Sequence, residues 1–137
     1  MKIVFVIGPA CSGKSTYIKN NYHDYNVIDL YDFQKGHQYA TILDSYEKCK
    51  EALIESIKEG KDTVMEHTLL REIRRKPYID AIREITDAPI DIIVMKPSHE
   101  EFDKRCRLRG FDGATDDFDI LEIPTINEGY NEIKIIE

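Results

Sequence analysis

Apolar residues fall into two rhythms along the chain, and their alternation lays out the fold. Ile3-Val4-Phe5-Val6-Ile7 is an unbroken β-branched and aromatic run that stops at Gly8, the pattern of a strand buried on both faces of a parallel sheet. Asn26-Val27-Ile28, Asp62-Thr63-Val64-Met65, Ile90 to Met95 and Ile133-Lys134-Ile135-Ile136 repeat it, the last as a sheet edge. Between these runs the spacing changes to three and four. Ile42, Leu43, Tyr46, Cys49, Leu53 and Ile57 mark one helix, with Gly60 where a C-terminal glycine belongs. Tyr78, Ile79, Ile82 and Ile85 mark a second, which the preference of proline for a first turn starts at Pro77. Ser98 and Glu101 form a capping box that opens a third, running through Phe102 and Cys106 toward Gly110.

Strand and helix thus alternate five times, which predicts an α/β fold with a five-stranded parallel sheet flanked by helices. A length of 137 residues suits one domain spanning 1–137. With 42% hydrophobic and 33% charged residues, general disorder and a membrane channel are both excluded. The net charge of −7 disfavours indiscriminate nucleic-acid binding but leaves room for a local basic groove. The opening apolar run is too short for a signal-peptide core or a spanning helix, so a cytoplasmic protein with no membrane partner is expected. Cys11, Cys49 and Cys106 form no CxxC pair and are expected as free thiols. Phe111 to Gly129 lacks periodicity, and its acids Asp112, Asp116, Asp117, Asp119 and Glu122 read as a solvated loop.

Chemistry enters at the end of the first strand. Gly8-Pro9-Ala10-Cys11-Ser12-Gly13-Lys14-Ser15 fits GxxxxGK[ST], directly after a strand and directly before a helical stretch. The two glycines let the backbone turn so that successive N–H groups point inward, an anion nest at the positive end of a helix. The main chain of Gly8, Ala10, Cys11, Ser12, Gly13 and Thr16 would cradle phosphates. Lys14 would reach the β- and γ-phosphates, and the Ser15 hydroxyl would ligate Mg2+. Cys11 is a small filler with no catalytic role.

Ligands of open α/β sheets sit at the carboxyl ends of the strands. Asp29 and Asp32, after the second strand, are two candidates for the base that accepts the proton of an attacking hydroxyl. Glu66, after the third, is placed to hold the metal or the Ser15 hydroxyl. His67 and Thr68 beside it are candidate substrate contacts. Two basic clusters, Arg71, Arg74, Arg75, Lys76 and Lys104, Arg105, Arg107, Arg109, hold 8 of the 19 basic residues in 12 positions. They sum to +7 and leave −14 for the remainder, an asymmetry that suits a phosphate-facing groove. Arg105 and Arg109 are four apart, on one helix face, as a short basic lid over a triphosphate would need.

With these residues placed, the chain resembles P-loop kinases, and most closely the kinase domains of polynucleotide 5′-hydroxyl kinases and their zeta-toxin-like relatives. The resemblance rests on Gly8 to Thr16, Val27-Ile28-Asp29 through Phe33, Val64 to Leu69 with the arginines that follow, Lys104-Arg105, Arg109-Gly110, Glu122-Ile123-Pro124-Thr125 and Glu128-Gly129-Tyr130. It implies Lys14 and Ser15 in the phosphate and Mg2+ roles, Arg105 and Arg109 on the nucleotide and the transferring phosphoryl group, and Asp29 or Asp32 as base. The family often has paired acids near this point with an arginine shortly after, where this chain has Leu30, Tyr31 and Gln34. The expected activity is transfer of the γ-phosphoryl group of ATP to a hydroxyl, the 5′-OH of a nucleic acid end, with Arg71, Arg74 and Arg75 lining the acceptor groove. The alternatives are a kinase for a small metabolite or nucleoside, which the net acidity favours, and a non-catalytic nucleotide-binding switch, which needs neither base nor acceptor pocket.

Overall fold

The computed structural model describes residues 1–37, 39–110 and 119–137. Strands β1 (Ile3–Ile7), β2 (Asn26–Asp29), β3 (Thr63–His67), β4 (Ile90–Met95) and β5 (Glu132–Ile136) form one all-parallel sheet in the order β2-β3-β1-β4-β5. Helices α1 (Lys14–Asn21), α2 (Tyr31–Gln34), α3 (Ile42–Lys58), α4 (Glu72–Arg83) and α5 (His99–Leu108) join them. The chain turns from β1 toward β2 and β3 on one side, then crosses to β4 and β5 on the other. The end of β1 therefore lies at the crevice where such sheets bind ligands.

Alternation along the strands divides the core in two. Val4, Val6, Val64, Ile93 and Met95 face α1 and pack with Ile18. On the other face Phe5, Ile7, Met65, Ile92 and Val94 cluster with Leu53 and Ile57 of α3 and Ile79 and Ile82 of α4. Helix α3 ends as its sequence requires, with Gly60 at φ +75° just beyond its cap. Ser98 caps α5 by accepting from the Glu101 N–H at 3.2 Å. Asp119 lies 3.3 Å from His99 and Glu122 pairs with Arg71 at the surface, whereas Asp112, Asp116 and Asp117 fall outside the described residues.

Two boundaries depart from the hydrophobic pattern. Strand β3 runs two residues past Met65, because backbone pairing continues through Val6↔Glu66 and Ile7↔His67 after the apolar run has ended. Helix α4 starts at Glu72, so Pro77 lies inside it and not at its head. The carbonyl that Pro77 cannot serve belongs to Ile73, a residue 67% exposed. What holds the first turn is Arg75. Its side chain is 0% exposed, donating from Nε and Nη2 to the two oxygens of Glu128 at 2.8 and 3.1 Å and from Nη1 to the Leu69 carbonyl at 2.9 Å. Glu128 also accepts from the Thr125 N–H at 3.1 Å, completing a capping box on the short turn Ile126–Glu128.

A buried guanidinium that loses its carboxylate is left desolvated and unpaired. Glu128→Ala should therefore lower stability by about 3–5 kcal/mol, whereas Arg75→Met combined with Glu128→Leu should recover most of that loss. Urea unfolding followed by circular dichroism measures both; a single-variant loss under about 1 kcal/mol would remove the pair from the core's support.

Candidate active site

The loop between β1 and α1 is shaped by what its glycines exclude. A Cβ on Gly8, at φ +152°, would stand 2.6 Å from the Met95 carbonyl oxygen and 2.8 Å from Ser12 Oγ. Only glycine lets the loop lie so close to β4. Gly13, at φ +97°, turns the chain into α1, and Cys11 takes a left-handed conformation at φ +67°. Lys14 Nζ folds back over the loop and donates to the carbonyls of Gly8 and Pro9, both at 2.9 Å. From α5, Arg105 donates Nη1 to the Ser12 carbonyl at 2.9 Å and Nε to Glu101 at 3.1 Å.

Strand register brings the acids to this loop. Asp29 pairs with Glu66 and Glu66 with Val6, so the two carboxylates project side by side on the α1 face. Ser15 Oγ donates to Glu66 Oε1 at 2.5 Å. Burial pushes the Glu66 carboxyl above its ordinary range, opposed by the Ser15 hydroxyl and Lys14 and aided by a hydrogen bond with Asp29. Asp29 also accepts from the Tyr31 N–H at 3.0 Å. Together these groups bound a cleft of ≈ 420 Å³ lined by Ala10 to Thr16, Asp29, Leu30, Tyr31, Gln34, Glu66, His67, Thr68 and Arg109. A second pocket, ≈ 480 Å³, lies across the loop against Tyr17, Asn20, Asn21, Met95, Arg105, Leu108 and Arg109.

The residues present fit a magnesium-bound nucleotide phosphate. The glycine-shaped cradle, the lysine and the Ser15–Glu66 contact supply anion and cation partners in one place. Among the described residues no group of three or more His, Cys, Asp and Glu side chains could hold a metal alone. A Mg2+ would come with the phosphates and rest on Ser15 and Glu66. The Ser12 hydroxyl, 1% exposed, is buried without a hydrogen-bond partner.

Several residues singled out by sequence lie elsewhere. Asp32 stands on the exposed side of α2 beside Lys35, at 3.3 Å, and does not line the cleft. Arg75 is in the core, Arg71 reaches Glu122 at 3.1 Å, and Arg74 is exposed outside the cleft lining. Arg105 braces the loop, while Arg109 borders both pockets. His67, one residue beyond Glu66, borders the cleft but turns its ring nitrogens toward the opposite sheet face. Its Nδ1 accepts from the Leu69 N–H at 3.2 Å, which leaves Nε2 to donate to the Tyr78 hydroxyl at 2.8 Å. Tyr78 donates in turn to the Tyr46 carbonyl at 3.0 Å. Sequence reasoning missed Tyr31 and Gln34 as cleft residues and Glu128 as the partner of Arg75; their spacing of three on α2 and the Thr125-x-x-Glu128 pattern were the available signals. The three cysteines are free, and Cys11 and Cys106, distant in sequence, share a buried cluster with Phe102. Among the described residues no helix is long and apolar enough to cross a membrane.

Comparison with known proteins adds a family and a set of folds. The family model described as AAA domain (AAA_33) matches residues 3–123. No curated protein matches the chain. Among solved structures, one similar fold is a protein of Chloroflexus aurantiacus provisionally described as a kinase, with TM-score 0.74, 13% identity, and 98% of this chain and 86% of that one covered. Another is a gluconokinase from Sinorhizobium meliloti, with TM-score 0.69, 15% identity, and 98% and 81% covered. A third is a chain of the Pnkp1/Rnl/Hen1 RNA repair complex, with TM-score 0.68 and 19% identity, of which this chain spans 43% while 88% of its own length is matched.

Burial holds the His67 imidazole well below its ordinary value, down to about 3, with Lys14 adding to the effect. The folded state therefore stays neutral while the unfolded chain takes up a proton below about 6.5. Stability should fall by about 1.4 kcal/mol per pH unit as pH drops from 6 toward 4. His67→Gln should flatten that slope by the same amount in urea unfolding; an unchanged slope would mean that His67 titrates normally.

Proposed function

The chain belongs to the AAA domain family, and from the cleft at its phosphate loop we propose that it is an ATP- and Mg2+-dependent phosphotransferase acting as one kinase unit on a hydroxyl acceptor, the 5′-OH end of a polynucleotide. The observation that carries this reading is the convergence of a glycine-shaped loop, the Ser15–Glu66 hydrogen bond and the Asp29 carboxylate on one cleft. A switch module would need the loop but not a second acid facing open space beside it.

Bound Mg2+ would offset charge on the phosphate oxygens. The loop's N–H groups and the start of α1 hold the phosphates in place. Lys14, which donates to the Gly8 and Pro9 carbonyls in this structure, would supply its charge to the β- and γ-phosphates. Asp29, set beside Glu66 by register, accepts the proton of the attacking hydroxyl. Asp32 lies outside this geometry. Arg109 borders both pockets and would meet the charge that develops between donor and acceptor.

The fold leaves the acceptor open, because sugar, gluconate and shikimate kinases share it. The polynucleotide reading draws on the sequence resemblance and on exposed Arg71 and Arg74, which follow the cleft residue Thr68. The burial of Arg75 removes one cation from that patch and is the observation that favours a nucleoside kinase as second reading.

γ-Labelled ATP offered with 5′-hydroxyl oligonucleotides, nucleosides and small sugars decides among these, and label should appear on the oligonucleotides. Lys14→Ala should lose at least a hundredfold in turnover while keeping its fold, since it removes a preorganised charge donor. Asp29→Asn should lose roughly a hundredfold or more in chemistry-limited rate, and Asp32→Asn less than about threefold. Full activity in Asp29→Asn would move the base elsewhere.

A further inference from the structure

Helix α2 divides its four residues and the one before them between two surfaces. Leu30, 5% exposed, and Phe33 turn into the core. Tyr31 and Gln34, three apart, line the cleft together with Leu30. Tyr31 is 65% exposed, and among the described residues of the cleft lining it presents the one accessible aromatic ring, since His67 is buried. Its backbone N–H is held on Asp29 at 3.0 Å, and Gln34 Nε2 reaches Ser45 Oγ on α3 at 3.4 Å. The backbone that carries the ring is thus held beside the proposed base, on a wall anchored to the core by Leu30 and Phe33.

We propose that Tyr31, with Gln34 beside it, is a stacking platform for a flat ring carried by the acceptor, and that the acceptor therefore presents a nucleobase next to its reactive hydroxyl. This deepens the functional reading given above and rests on it. A hydroxyl that reaches Asp29 while the donor's phosphates occupy the loop leaves the rest of the acceptor against the far wall. That wall offers an aromatic face and a carboxamide. The cations in the cleft lining, Lys14 and Arg109, belong to the phosphate loop and to the end of α5. Among the described residues of the cleft lining, no cation stands on the Tyr31 wall to meet the carboxylate of a small hydroxy acid. A nucleobase would find a π face, and because every base has one, the preference for a base would come without strong preference among bases. Gln34 could accept from, or donate to, the edge of that base.

The test uses the full chain with saturating ATP and three acceptors: an oligonucleotide with an ordinary 5′-hydroxyl nucleoside, the same strand ending in an abasic 5′-hydroxyl sugar, and gluconate. The unmodified protein should favour the base-bearing end over the abasic one. Tyr31→Ala should raise KM for the base-bearing end by about 5- to 150-fold, the span of losing one base–aromatic stack, and bring the kcat/KM ratio of the two ends toward one. Tyr31→Phe should retain the preference, because stacking needs the ring and not the hydroxyl. KM for ATP should not follow the substitution, and an unchanged thermal midpoint would verify that the exposed side chain was removed without unfolding. Equal use of the two ends by the unmodified protein, or an undiminished ratio in Tyr31→Ala, would overturn the platform while leaving the kinase reading intact. Phosphorylation of gluconate with none of either oligonucleotide would overturn the polynucleotide reading and the platform with it.

Discussion

The pairing of β3 with β1 and β2 in one parallel register is the constraint on which the site depends. It sets Asp29, Glu66 and Val6 in a row across three strands, with their side chains on the face that α1 covers. Side chains alternate with period two, so a slip of one residue would turn Glu66 into the α3 and α4 core and bring His67 to the phosphate loop. The apolar residues enforce the register. Val4, Val6 and Val64 must meet α1, while Phe5, Ile7 and Met65 must meet α3 and α4. The positions of the acids follow from the burial of their apolar neighbours, and the chemistry sits where the strands run out of hydrophobic residues.

The ends of those strands are expensive places to keep polar groups, and each is stabilised from below. His67, kept neutral by its burial, is satisfied by bonds to Leu69 and Tyr78 and packs against the rings of Tyr46 and Tyr78, at centroid distances of 4.7 and 5.2 Å. Leu69, at φ +36°, hands its carbonyl to Arg75, and Arg75 is neutralised by Glu128. The turn after β3 is thereby tied both to the sheet and to the segment before β5. Histidine and arginine here brace the turn that carries Thr68.

Most of the architecture could be read from the sequence because it follows from local hydrophobic rhythm: all five strands lie within one or two residues of their patterns, and α3 and α5 start and stop at their capping residues. The loop was legible because its glycines and lysine are contiguous. The start of α4 was not, since a proline rule built on local sterics cannot register an ion pair formed 53 positions away. The same long-range pairing took Arg75 out of the expected groove. Two acids three positions apart, Asp29 and Asp32, were indistinguishable as letters. The structure separates them because a strand ends at one and an exposed helical turn carries the other.

The phosphate loop is held in shape by the protein itself. Gly8 lies against the Met95 carbonyl, Lys14 bridges the loop's own carbonyls, and Arg105 pins Ser12 from α5 with Glu101 behind it. Cys11 seals the outer side by packing into the apolar cluster with Phe102 and Cys106. A loop fixed from three directions is ordered beforehand, so on the proposed reading anion binding would not have to supply the ordering free energy that a free loop of this length would require. The arginine that sequence spacing placed over the triphosphate thus acts first on the backbone that would receive it. On the phosphotransferase reading proposed above, its contribution to phosphate binding would be one of preorganisation, transmitted through the Ser12 carbonyl to the neighbouring Gly13 turn.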